Sequence, residues 1–171
     1  MSTKILTLKN VIANRISMQD VVYGISAVGL GLSLPHIFHT FGLGSTFLPM
    51  YLPVLTLGLL STPLIVTTVV IITPLISYLI SGMPPMSPPI AFIMSFQLAL
   101  LGLSAYFFTQ RLKWNFFAAL LMSVFIERLT TLILSSTVLN TIISTSHIYE
   151  SYPGILLQII GATILYRILK K

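Results

Sequence analysis

The chain has no cysteine, only three acidic residues in 171, and 7% charged residues in all. Without thiols it forms no disulfide and no thiolate metal site. With so little charge it cannot cover a water-facing surface, for which a soluble domain carries about 25% charged residues. It also lacks HExxH, GxSxG and Walker A motifs and any cluster of acids. No catalytic activity and no cofactor is therefore expected of this chain. Any ATP use belongs to a partner.

What is present is mostly apolar. Hydrophobic residues make up 56% of the chain, and the mean hydropathy is +1.00. These values define an integral membrane protein, all-α, with length for one compact bundle. The net charge of +6 reads as membrane topology rather than nucleic-acid binding, because the cations sit at the ends of apolar runs. No cleavable signal peptide is expected, since a polar segment precedes the first apolar run.

Residues 1–17 read as a basic amphipathic segment for a membrane surface, with Lys4, Lys9 and Arg15 among apolar residues. Residues 18–171 form the transmembrane domain. Apolar runs at 18–34, 47–61, 63–81, 88–110, 114–141 and 153–169 predict a six-helix bundle. Pro49, Pro53, Pro63 and Pro74 predict short, kinked or tilted second and third helices. With six spans, one side collects Lys4, Lys9, Arg15, Arg111, Lys113, Arg167, Lys170 and Lys171. The opposite side, residues 35–47, 81–89 and 142–152, holds no Lys or Arg. The positive-inside rule then predicts both termini in the cytoplasm.

Glu127 and Arg128 interrupt the fifth run. A charge at the bilayer centre costs about 2.5–3.5 kcal/mol on insertion scales, so such residues face the bundle interior and pair there. They read either as a structural ion pair or as a ligand contact. Counting 1.5 Å per residue puts Arg128 about 18 Å, Gln97 about 14 Å and Gln158 about 8 Å below the outer ends of their helices. Each glutamine alone reads as an interhelical hydrogen bond. Together, under apolar walls, the three predict a small-molecule pocket.

The uncharged segment "PHIFHTFGLGSTFLPMYLP", residues 35–53, joins the first two spans above that pocket. His36, His39 and Tyr51 offer polar contacts, and Phe38, Phe41, Phe47 and Met50 offer apolar cover. Gly42 and Gly44 permit sharp turns. The "SGMPPMSPP" loop, with Met83 and Pro84, reads as a second lid stiffened by proline. Two histidines with no acid nearby do not predict a metal site. In the first span Gly24, Ala27 and Gly31 share one face. That face reads either as packing inside the bundle or as docking to a partner membrane protein.

"LPHIFHTFG…FLPMYLPVL", "SGMPP" and "PGILLQII" together resemble the substrate-binding S components of energy-coupling factor (ECF) transporters, over residues 20–169. The resemblance implies capture of a vitamin or similar micronutrient outside a bacterial plasma membrane. It also implies docking, through Gly24, Ala27 and Gly31, to a membrane T component coupled to two cytoplasmic ATPases. The two outer loops would gate the ligand, and Gln97, Arg128 and Gln158 would line its site with Glu127. Tyr51 stands where the family pattern has histidine, and Gln97 where many relatives have glutamate, so substrate identity does not carry over. A nearly neutral site suits a pyridoxine-class ligand. Pantothenate, cobalamin or a queuosine precursor stay open. A self-contained secondary carrier and a ligand-free membrane interaction protein are the rival readings.

Overall fold

The computed structural model describes residues 16–43, 47–82, 84, 90–137 and 152–169. The amphipathic segment expected at the N-terminus lies almost wholly outside them. The described residues form six helices: α1 Met18–Thr40, α2 Tyr51–Leu60, α3 Pro63–Ser81, α4 Ile90–Tyr106, α5 Phe116–Thr137 and α6 Tyr152–Leu169. A π-helical turn, Phe107–Arg111, extends α4. Five of these segments are long and apolar enough to cross a membrane, and α2 is not among them.

Burial is inverted relative to a water-soluble bundle. Gln97, Glu127 and Gln158 are buried, while Leu156, Ile160, Ile164 and Ile168 line the outside of α6 at every fourth residue. Leu121, Phe125, Leu129 and Ile133 do the same on α5. Apolar stripes outside and polar side chains inside define a multi-pass membrane bundle, because lipid solvates the former and cannot solvate the latter.

Two boundaries differ from the sequence reading. The first helix does not stop near residue 34. It runs to Thr40 through Pro35, so the "PHIFHT" portion of the expected loop is helical. Proline removes one backbone donor, and Ser33, His36 and Thr40 supply side-chain contacts to helix carbonyls nearby. In lipid, continuing the helix keeps backbone groups satisfied. The second helix is short, as its prolines predict, and starts later than its apolar run. Leu48 has a positive φ of 45°, and the helix begins only at Tyr51. Ten residues reach about 15 Å, half of a hydrocarbon core of about 30 Å. The third helix, expected to be compromised by its prolines, reaches 19 residues with Pro63 in its first turn and Pro74 inside.

The short helix is the centre of the bundle. Every residue from Tyr51 to Leu59 is buried, against α1, α4 and α6 on different sides. Its closest crossing is with α4, where a methyl at Gly58 would collide with the Gly102 carbonyl. Small residues let membrane helices approach this far.

One end of the bundle gathers four segments. Asp20 accepts from Ser61 Oγ at 2.7 Å and from the Thr62 amide at 3.1 Å. It also closes a capping box with Ser17. Gln110 Nε2 donates to the Leu59 carbonyl at 3.3 Å, and Tyr23 Oη to the Leu169 carbonyl at 3.1 Å. The start of α1, the α2–α3 turn, the end of α4 and the end of α6 therefore lie together.

Candidate functional site

Tyr51 opens α2, Gln97 sits in the middle of α4, and Glu127 and Arg128 sit in α5. The fold brings these four together. Tyr51 Oη donates to Gln97 Oε1 at 2.7 Å. Gln97 Nε2 donates to Thr131 Oγ1 at 2.9 Å, and Thr131 Oγ1 donates to Glu127 Oε1 at 2.9 Å. Each donor in this chain points toward the carboxylate, so the bonds polarise one another in one direction.

Arg128 completes the cluster. Its Nε lies 3.1 Å from Glu127 Oε2, within ion-pair range but without hydrogen-bond geometry. Neighbouring residues project about 100° apart on a helix, which explains the poor alignment. The guanidinium carbon stands 5.5 Å from the centre of the Tyr51 ring, within cation–π range. Tyr51 therefore meets the cluster twice, through its hydroxyl and through its face. Glu127 has a fully buried side chain, and the Arg128 side chain is 13% exposed.

Two side chains in the bundle interior have unused hydrogen-bonding capacity among the described residues. Arg128 Nη2 is buried with no hydrogen-bond partner among the described residues. Gln158, fully buried on α6, has no partner for either side-chain atom among the described residues. A primary amide in hydrocarbon normally finds an interhelical partner.

Several expected site residues stand elsewhere. His36 and His39 are exposed on the last turns of α1 rather than in a loop. His36 Nδ1 lies 2.7 Å from the Leu32 carbonyl. Phe38 packs on Phe47 with ring centroids 5.3 Å apart, while Phe41 is 74% exposed. Met50 is a core residue, not a lid. Pro84 is partly buried, and Met83 lies outside the described residues. Gly24, Ala27 and Gly31 are buried inside the bundle. A methyl at Gly24 would meet Ile65 at 2.8 Å, and one at Gly31 would meet Thr73 at 2.8 Å. That face packs on α3, the intramolecular alternative.

Sequence reasoning missed Thr131 and Asp20. Thr131 lies four residues after Glu127, so helical spacing alone puts it on the same face. Asp20 follows Ser17 at capping-box spacing, but its reach to Ser61 and Thr62 depends on tertiary packing. Among the described residues no three His, Asp or Glu side chains gather as a metal site would require.

The chain matches no protein-family model, no curated protein and no solved structure.

Proposed function

We propose that this protein captures a small polar micronutrient within the membrane, as the S component of an ECF-type importer. The observation that carries the reading is the unpartnered polar capacity of Gln158 and Arg128 inside a lipid-embedded core. A ligand offering hydroxyl or carboxylate groups would satisfy either, and the Tyr51 ring would offer it an aromatic face. The fivefold network of Tyr51, Gln97, Thr131, Glu127 and Arg128 would hold those groups in place. A pyridoxine-class compound is the substrate we favour, since its ring and hydroxyls match an aromatic and amide lining.

In this reading the six helices all count as spans, with α2 as a half-length one. Both termini face the cytoplasm of a bacterium, on the basic side. A T component and two ATPases supply the energy, because no nucleotide motif occurs in this chain. The T component must then dock on a surface other than the Gly24, Ala27 and Gly31 face.

The test is mass spectrometry of small molecules released by denaturing the purified protein. A stoichiometric vitamin supports capture and names the substrate. An empty extract, followed by a flat thermal-shift panel of vitamins, overturns it. Arg128→Ala binding the vitamin as tightly as wild type would remove Arg128 from the site.

A further inference from the structure

Two cavities adjoin at the end of the bundle that carries Arg111, Lys113 and Arg167. The larger, about 710 Å³, lies among the start of α1, the ends of α2 and α4, the turn into α5, and α6. Gln19, Thr109, Gln110 and Lys113 form its polar wall. Thr109 Oγ1 is buried with no hydrogen-bond partner among the described residues. Stacked pairs, Phe108 on Trp114 at 4.7 Å and Phe116 on Tyr166 at 4.2 Å, brace the chamber. Lys113 follows the π-helical turn with a left-handed φ of 53°.

The second cavity, about 180 Å³, is a groove between α1, α2 and α6. Its walls are nearly all apolar, including Val22, Leu30, Leu57 and Leu165. Both cavities are lined by Tyr23, Leu60 and Leu169. A polar chamber with a cation therefore adjoins an apolar groove across Tyr23, Leu60 and Leu169.

This adjacency selects the occupant. A water-soluble anion matches the chamber and leaves the groove unused. A bare hydrocarbon matches the groove and leaves the Lys113 cation unmatched. A molecule with an anionic head and a hydrocarbon tail matches both. Such molecules surround the protein, and basic pockets between membrane helices recognise their headgroups.

We propose that an anionic phospholipid occupies this pair of cavities. Its phosphate meets Lys113, Gln110 and Gln19, and one acyl chain lies along the α1–α2–α6 groove. The head carries the selectivity, since a tail gains little by leaving surroundings as apolar as the groove. This site uses neither the Glu127–Arg128 cluster nor Gln158, and the proposal does not depend on vitamin capture.

Native mass spectrometry of the full chain in mild detergent tests it, with phosphatidylglycerol and phosphatidylcholine of matched chains. One phosphatidylglycerol is expected to remain bound in preference to phosphatidylcholine. Lys113→Gln should lower its retention about fivefold, the effect of one cation near an anionic headgroup. Lys113→Arg should preserve retention. Ser26→Trp, which fills the groove from α1, should also lower retention. Size-exclusion profiles establish that each variant is folded. Equal retention of the two lipids overturns the proposal, as does unchanged retention in both Lys113→Gln and Ser26→Trp. Glycerol 3-phosphate binding as tightly as the lipid, with no effect of Ser26→Trp, would make this a free-phosphate site and overturn it too.

Discussion

Tyr51 and Gln97, 46 residues apart, share a buried 2.7 Å hydrogen bond that ties the first residue of α2 to the middle of α4. Through Gln97 and Thr131 the same tie reaches Glu127 on α5. Tyr51→Phe removes one hydroxyl and leaves the ring under Arg128. It should lower stability by about 1 kcal/mol, in the range of interhelical hydrogen bonds in membranes. Reversible unfolding in mixed detergent measures this. A double-mutant cycle with Thr131→Val should show coupling, because both residues bond to the same glutamine.

Removing either Glu127 or Arg128 leaves its partner uncompensated in a buried setting. Arg128→Ala should cost about 3–5 kcal/mol. The double variant Glu127→Gln/Arg128→Met should cost less than Arg128→Ala alone, because it strands no charge. Thermal unfolding of the three proteins in one detergent gives the comparison. A double variant as unstable as the sum of Glu127→Gln and Arg128→Met, each measured alone, would contradict the pairing.

Glycines separate tight from open positions. Gly58→Ala pushes a methyl onto the Gly102 backbone, which cannot rotate away. We expect a loss of about 1–3 kcal/mol, the cost of overpacking. Gly29→Ala on α1 meets nothing within 4 Å among the described residues and should stabilise by about 0.5–1 kcal/mol. Melting temperatures of the two variants should therefore move in opposite directions.

Asp20 binds the start of α1 to the α2–α3 turn through Ser61 and Thr62. Asp20→Ala should cost about 1.5–3 kcal/mol, as expected for hydrogen bonds to a charged group. The turn at Ser61 should become the earliest site of added amide exchange. Exchange confined to α1, with the turn unchanged, would argue that Asp20 acts only as a helix cap.

Much of the site was legible from helix lengths and depth. Counting residues puts Gln97 and Arg128 at about 14 and 18 Å of depth, and Gln97 meets Glu127, the neighbour of Arg128, through Thr131. Tyr51 was singled out as a polar group in a loop, and it joins the cluster from the first turn of a helix. Other features could not be read this way. The helix continues through Pro35 to Thr40, which puts His36 and His39 on helical turns rather than in the expected lid. The start of α2 depends on the conformation of Leu48, which no hydropathy pattern records. The face of Gly24, Ala27 and Gly31 had two readings from spacing, and only the position of Ile65 and Thr73 distinguishes them. The chamber beside Lys113 joins five helices and has no signature along the chain.

The length of α2 bears on how the protein is made. Ten residues are too few to halt a translocating chain on their own. Ser61 and Thr62 are all that separate α2 from α3, so the two would enter the bilayer as one hairpin. Asp20, already synthesised by then, would latch the turn of that hairpin to α1. A chain lacking this latch would be most exposed to mis-insertion at the moment α3 emerges, before α4 has arrived to enclose α2.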